Sequence, residues 1–358
     1  MGHLSIWGTK DLGRVYLDHN ATTPLRAEAR AAMIAAMDVV GNPSSIHAEG
    51  RAAKGVIEAA RANVAEALGA QAADIVFVSG ATEAAALAMA GRALQTAPIE
   101  HDAVGAWGDG SLAVDAAGRV DVMDPARTAL QTANSETGVL QVLPQGLALS
   151  DMTQAFGKVP LAFDWSGVDM ALVSAHKLGG PKGIGAVVLR RGLDVPAQLK
   201  GGGQEMGRRA GTEAIHLIAG FGAAAQAASA DLAAGKWARV EQLRTFLETH
   251  LEAGSKETIL IGKGAERLPN TTCIVTPGWK GETQVMALDL AGFAVSAGSA
   301  CSSGKVRASG VLRAMGLNEA EAGSAIRVSL GLDTTEAEVA AFCAAFLKLQ
   351  AKHLARAA

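Results

Sequence analysis

Over roughly the first two-thirds of the chain, short β-rich apolar runs alternate with longer alanine-rich stretches. "RVYLD" (14–18) reads as a strand, and Pro24 then suits the first turn of a helix capped by Thr23 and continuing through "LRAEARAAMIAAM". "DIVFVSG" (74–80) reads as a buried strand that passes directly into helical "ATEAAALAMAGRAL". "RTALQTAN" (127–134), "DMALVSAH" (169–176) and "IGAVVLR" (184–190) are further predicted strands. This rhythm predicts an α/β unit: a mostly parallel, doubly wound sheet with helices on both faces.

The pattern changes near residue 222. A long helical region, "AAAQAASADLAAGKWARVEQLRTFLETHLEA", is followed by short strands at "TILIG", "TTCIVT", "FAVSA" and "AIRVSLG", and by a closing amphipathic helix over 335–354. That is a smaller α+β unit. The expected division is a large domain over 15–229 and a small domain formed by 1–14 and 230–358. No low-complexity linker and no internal repeat separates them.

Composition narrows the function. Glycine is 42 of 358 residues, about 12%, against an ordinary ~7%, which fits many tight turns and close backbone approaches to a ligand. A net charge of −3 with mixed signs carries no nucleic-acid footprint. No apolar run reaches the ~18 residues of a membrane span, and the start, "MGHLSIWGTKD", has no signal-peptide pattern. Three widely spaced cysteines make a disulfide framework or a metal site improbable, so the expected compartment is the reducing cytoplasm.

Several segments could carry chemistry, each with a plainer alternative. In "VFVSGATEAA" a strand ends at a helix start, where free N–H groups and the positive dipole end can hold an anion around Ala81 and Thr82; a capped helix start reads the same way. In "LVSAHKLGGPKG" a buried strand delivers Ser174, His176 and Lys177 to a Gly-Gly-Pro turn. A lysine at a strand's carboxyl end faces the crevice of a doubly wound sheet, where desolvation favours Schiff-base chemistry; the alternative is a surface loop lysine. Asp151 in "LSDMTQ" could hold a pyridine nitrogen protonated or simply cap a helix. His101 could stack on a planar cofactor or be structural. Arg327, inside an apolar strand, needs an anion: a substrate carboxylate or an internal ion pair. "GGGQEMGRRAGTE" lacks the spacing of a dinucleotide loop, and no P-loop is present.

Together and in order, "YLDHNATTP", "GNPSSIH", "VFVSGATEA", "EHDAV", "SETGVLQ", "DMTQAFGK", "SAHKLGGPKGIG", "GGGQEMGRRAGT", "GSACSSG" and "IRVSLG" resemble the pyridoxal-phosphate-dependent cysteine desulfurases, of the fold-type-I aminotransferase superfamily. The resemblance implies pyridoxal 5'-phosphate as cofactor and L-cysteine as substrate. It implies a Schiff base on Lys177, Asp151 against the ring nitrogen, Gln154 on the ring hydroxyl and His101 stacked on the ring and shuttling protons. Ala81, Thr82, Ser174 and His176 would hold the phosphate, and Thr212 the phosphate of a second subunit, hence a homodimer. Arg327 and Asn134 would bind the substrate, and Cys301 would take its sulfur for a sulfur-acceptor or iron–sulfur scaffold protein. The chain departs from the family at Ser135, Ala85 and Ala86, where asparagines are usual, and in shortened segments before "EHDAV" and after "GVLQ".

Cys301 lies among glycines and serines in "SAGSACSSGK", a setting that gives a sulfur carrier hinge freedom. Cys273 and Cys343 lie in apolar runs and read as core packing. Two other classes share this pattern. One is another enzyme of the same fold, such as a selenocysteine lyase or an aminotransferase, distinguished by its product. The other is a non-catalytic interaction subunit, distinguished by the absence of a cofactor absorbance.

Overall fold

The computed structural model describes residues 13–298 and 308–357. The chain enters through β1 (Val15–Tyr16) and reaches α1 (Ala27–Met37), three residues later than Pro24 predicts, with Arg26 in the capping position. Tertiary bonds explain the delay. The Thr23 amide donates to the His176 carbonyl and its hydroxyl to the Lys177 carbonyl, while the Arg26 amide donates to Gly179 O. The segment before α1 is therefore held extended against a loop about 150 residues away. Next, α2 (Ala48–Leu68) ends at Gly69, whose left-handed φ of +62° and 2.9 Å approach of a would-be Cβ to Ala162 Cα both require glycine.

β2 (Asp74–Val78), α3 (Ala81–Met89), α4 (Asp102–Gly105), β3 (Ser150–Asp151), α5 (Phe163–Ser166), β4 (Met170–Ser174), β5 (Gly185–Leu189) and α6 (Ile215–Ala233) complete the large layer. The sheet order is β2-β5-β4-β3. β5 runs against both its neighbours; β2, β3 and β4 share one direction. Parallel bridges Ala129–Leu149 and Gln95–Thr128 continue the sheet beyond β3, so it is mostly parallel. The expected strand over 127–134 is reduced to such bridges, because its side is edged by turns rather than by a second continuous ladder. Side chains alternate across the sheet. Val76 and Val78 pack with α3, whereas Ile75 and Phe77 pack with α2 and α6. Helices thus cover both faces, as a doubly wound sheet needs.

The long helical region is two helices. α6 stops, Gly235 takes a left-handed φ of +67°, and α7 (Lys236–Gly254) leaves at 73°. β6 (Ile259–Ile261), β7 (Thr271–Val275), α8 (Gly281–Leu290), β8 (Phe293–Ala294), β9 (Ser296–Ala297), α9 (Gly310–Ala314), α10 (Glu319–Ala322), β10 (Ala325–Ser329) and α11 (Glu336–Ala357) follow. They form an antiparallel sheet, β6-β7-β10-β9, while β8 pairs in parallel with β1. Val15 and Leu17 share a core with Leu247, Ile274, Val328, Phe342 and Phe346. The amino-terminal strand is thereby sealed to the carboxyl-terminal unit, each such buried side chain contributing roughly 1.5–3 kcal/mol. Among the described residues no single helix is long and apolar enough to cross a membrane.

Candidate active site

The site forms at the carboxyl ends of β3 and β4. β4 ends at Ser174, and a 3-10 turn over Ala175–Lys177 places Lys177 three positions past the strand. Its Nζ donates to the Asn20 carbonyl at 2.6 Å and the Ala21 carbonyl at 3.0 Å. The return strand β5 begins at Gly185, where a Cβ would lie 2.5 Å from Val173 O and 2.9 Å from Gly80 Cα. Only glycine lets β4, β5 and the start of α3 come this close. Across that contact, α3 opens with Ala81 and Thr82, its first amides lacking helical partners. Asp151 is the last residue of β3, and its Oδ1 accepts the Thr153 amide at 2.9 Å. His101 caps α4: its Nδ1 accepts the Ala103 amide at 3.1 Å, so the neutral ring carries its proton on Nε2.

Ala81, Thr82, His101, Asp151, Gln154, Ser174, His176 and Lys177 all line one cavity of about 500 Å³. Thr22 and Lys182 line it too. His176 Nδ1 is in hydrogen-bond contact with Thr22 Oγ1 at 3.2 Å. Burial, then the charges of Lys177 and Lys182, push the His176 pKa down to about 4, so its ring is neutral near pH 7.

The remaining expected residues lie elsewhere. Asn134 does not face the cavity: its Oδ1 accepts the Glu136 and Thr137 amides and the Thr137 hydroxyl, and its Nδ2 donates to Ile99 O. It organises the turn that presents Ser135, which does line the cavity. Arg327, on β10, is buried with Nη2 2.7 Å from Asp18 Oδ1 and Nη1 3.1 Å from the Ser135 carbonyl; its Nε has no partner among the described residues. Thr212 is exposed and opens onto a separate pocket of about 150 Å³ beside Ser79 and Gly183. Cys301 lies outside the described residues. Cys273 and Cys343 are buried, and burial raises both thiols, Cys343 to about 12.

Sequence reasoning missed a polar layer behind the cavity. Lys158 is 3% exposed, its Nζ 2.7 Å from Gln154 Oε1 and 3.1 Å from Asn20 Oδ1, and burial holds its pKa well below the usual lysine value. The spacing from Gln154 to Lys158 within "DMTQAFGK", one helical turn, was the available signal. Asn20 is fully buried and also takes Gln154 Nε2 on its carbonyl at 2.9 Å. Glu100 accepts the Gln131 amide; burial, reinforced by the nearby Asp151 charge, raises its pKa well above the carboxylate range.

This donor set fits pyridoxal phosphate. The α3 amino-terminus, Ser174 and Lys182 suit a dianionic phosphate, Lys177 suits a Schiff base, Asp151 suits a pyridinium, and buried Thr153 Oγ1 beside the cavity has no partner among the described residues.

Comparison with known proteins agrees with that assignment. Residues 15–104 and 123–342 match the family described as aminotransferase class-V. The chain belongs to that family, whose enzymes carry pyridoxal phosphate at a fold-type-I site. It is 40% identical to the cysteine desulfurase of Cereibacter sphaeroides, over 91% of this chain and 93% of that one. It is 35% identical to the cysteine desulfurase IscS of Dictyoglomus turgidum, over 91% of each. The structure of a NifS-like protein from Rickettsia africae superposes with a TM-score of 0.85 at 31% identity, covering 94% of this chain and 99% of that one. A structure described as SspA in complex with cysteine superposes with a TM-score of 0.73 at 27% identity, covering 88% and 98%. Within the class-V family the chain belongs to the cysteine desulfurases.

Proposed function

We propose that the cavity converts L-cysteine to L-alanine, with Cys301 taking the sulfur as a persulfide for a sulfur-acceptor or iron–sulfur scaffold protein. The observation that carries this reading is the convergence of eight residues, Lys177 among them, from four separate segments in one cavity. Bound there, pyridoxal phosphate supplies an electron sink for negative charge at the α-carbon of an amino acid.

The chain's own residues do the rest. Lys177 holds the cofactor covalently and, once released, moves the α-proton on Nζ. Asp151 keeps the ring nitrogen protonated, Gln154 donates to the ring oxygen, and His101 stacks on the ring. Ala81, Thr82, Ser174 and neutral His176 bind the phosphate. Asn134 acts on the substrate through the turn that carries Ser135. Arg327 binds the substrate carboxylate; a guanidinium has five N–H donors, and its Nε is unspent by Asp18 or Ser135. The Cys301 thiolate attacks the substrate sulfur. The carbon–sulfur bond breaks, its electron pair stays with carbon, and the thiol proton ends on the methyl group of alanine. A free thiol of pKa ~8.5 is only about 3% thiolate at pH 7, so a cation near the reacting sulfur raises the rate.

Thr212, exposed on its own chain beside the phosphate end of the cavity, supports a homodimer in which it reaches the partner's phosphate. We place the enzyme in the cytoplasm and divide it into a cofactor domain, 15–229, and a small domain, 1–14 with 230–358, that carries the cysteine loop and on whose core β1 of the cofactor domain packs.

The test is mass spectrometry after L-cysteine treatment. The wild-type chain gains sulfur on the Cys301 peptide and on neither other cysteine, and releases alanine. Cys301→Ser binds cofactor and substrate but releases no alanine. Alanine release at the wild-type rate by Cys301→Ser overturns the reading.

A further inference from the structure

Behind the cavity, the Gln154 side-chain amide is gripped at both ends. Its Oε1 accepts from Lys158 Nζ at 2.7 Å, and its Nε2 donates to the Asn20 carbonyl at 2.9 Å. Lys158 also donates to Asn20 Oδ1 at 3.1 Å, and Asn20 is itself anchored by Asn270 Nδ2 on the same oxygen and by its own donation to Thr271 Oγ1. An amide rotated by 180° would set its NH₂ group against the Lys158 amine and its oxygen against the Asn20 carbonyl. The Asn20 contact would turn from attractive to repulsive and the Lys158 amine would lose the oxygen it donates to, among side chains that are almost fully buried. With the oxygen turned to Lys158 and one N–H spent on Asn20, the second N–H is left for the cavity that Gln154 lines.

We infer that Lys158 is a positioning residue: it locks the Gln154 amide in the orientation that donates an N–H to the ring oxygen of the cofactor. The inference rests on the cofactor reading of the cavity and extends it to a residue that never touches the ligand. The cost of keeping a lysine there is visible in its chemistry. Burial and the charges of Lys177 and Arg327 disfavour the ammonium form, and a neutral amine has two hydrogens for its two acceptors. A residue kept only for stability would do better as an apolar side chain of similar length. Lys158 also borders a second cavity of about 370 Å³ on the far side of Lys177, which leaves room for a longer side chain.

The experiment measures the pH midpoint of the visible absorption of bound pyridoxal phosphate, and its binding to the apo chain by fluorescence titration, in wild type, Lys158→Met, Gln154→Ala, the double variant and Lys158→Arg. A donor to the ring oxygen stabilises its deprotonated form, so losing the donor raises the midpoint. Lys158→Met is expected to raise it by about one pH unit and to weaken binding by roughly 10-fold. Gln154→Ala does the same, the double variant shows no further change because the lysine acts through the amide, and Lys158→Arg returns the midpoint toward wild type. The apo melting temperature of Lys158→Met stays level or rises. An unchanged midpoint in Lys158→Met, with or without a lower melting temperature, overturns the inference, as does an effect that is as large in the Gln154→Ala background as alone. Failure of the wild-type chain to bind pyridoxal phosphate overturns the reading of the cavity and this inference with it; normal wild-type binding with unaltered Lys158→Met overturns this inference alone.

Discussion

At the floor of the cavity, Lys177 lies three positions beyond β4, Asp151 is the last residue of β3, and Thr82 is the second residue of α3. Each is delivered by the element it terminates or begins. The wall facing the small unit is built the other way. Arg327 meets Asp18 across 309 positions, Asn20 meets Asn270 across 250, and Lys158 meets Asn20 across 138. The floor therefore holds groups presented to a ligand by local backbone geometry. The wall holds groups whose polar atoms are mostly spent on one another behind the cavity lining, so it joins the two ends of the chain. Substitutions in the two regions should fail in different ways: on the floor chemistry goes first, and on the wall stability goes with it.

The sharpest separation comes from Lys177→Ala. Turnover and the visible cofactor band should be lost, with a rate fall of at least ~10³-fold expected from removing a catalytic nucleophile and base. The apo melting temperature should barely move, because Gln154 still bonds the Asn20 carbonyl that Lys177 leaves. A large drop in apo stability would break the comparison. Next in size, Asp18→Ala leaves the Arg327 guanidinium buried with only the Ser135 carbonyl. Breaking a buried pair on one side costs roughly 3–5 kcal/mol, and partial exposure of Asp18 places this case at the low end. Chemical denaturation should show it as a lower midpoint with unchanged slope.

The smallest effect is a pH slope. Burial lowers His19 to about 4, and His176 is lowered to about 4 as well. For both, the unfolded chain binds protons that the fold refuses between pH 6.5 and 4, so stability falls as pH drops through that window. Glu136 has the opposite sign. Burial raises it to about 7, its Oε2 accepting from Ser309 Oγ, so its ionisation costs stability as pH rises from about 4.5 to 7. Glu136→Gln keeps an acceptor for Ser309 and removes that cost. The variant should lose stability more steeply on acidification than wild type and be more stable at pH 8, by on the order of 1–3 kcal/mol. Parallel stability–pH curves for the two proteins would show that Glu136 does not titrate in this window.

The sequence was most legible where one signal served both structure and chemistry. β2, β4 and β5 lie inside the predicted runs because strands buried on both faces are apolar at nearly every position, polar residues such as Asp74 and Ser174 standing only at their ends. Thr23 and Pro24 misled because local capping rules say nothing about a loop 150 residues away that claims the same backbone groups. The 223–253 stretch looked continuous because an alanine-rich helix before Gly235 and a charged, leucine-bearing helix after it have no local stop between them stronger than one glycine. Asn134 and Arg327 carried the right residue types, yet nothing in their own segments said that one would spend its side chain on a turn and the other share its guanidinium with Asp18.

By itself the sequence determined the alternation of elements, the strand ends that bear Asp151, Ser174 and Lys177, and the order of motifs that marks the family. Those features depend on periodicity and on residues within a few positions of one another. Only the tertiary structure decided that Lys158 lies behind Gln154, that Asn20 takes bonds from Lys177, Gln154 and Lys158, and that Arg327 closes on Asp18. Buried donors and acceptors must find partners wherever the fold brings them. That choice is made by packing across the whole chain, not by neighbours along it.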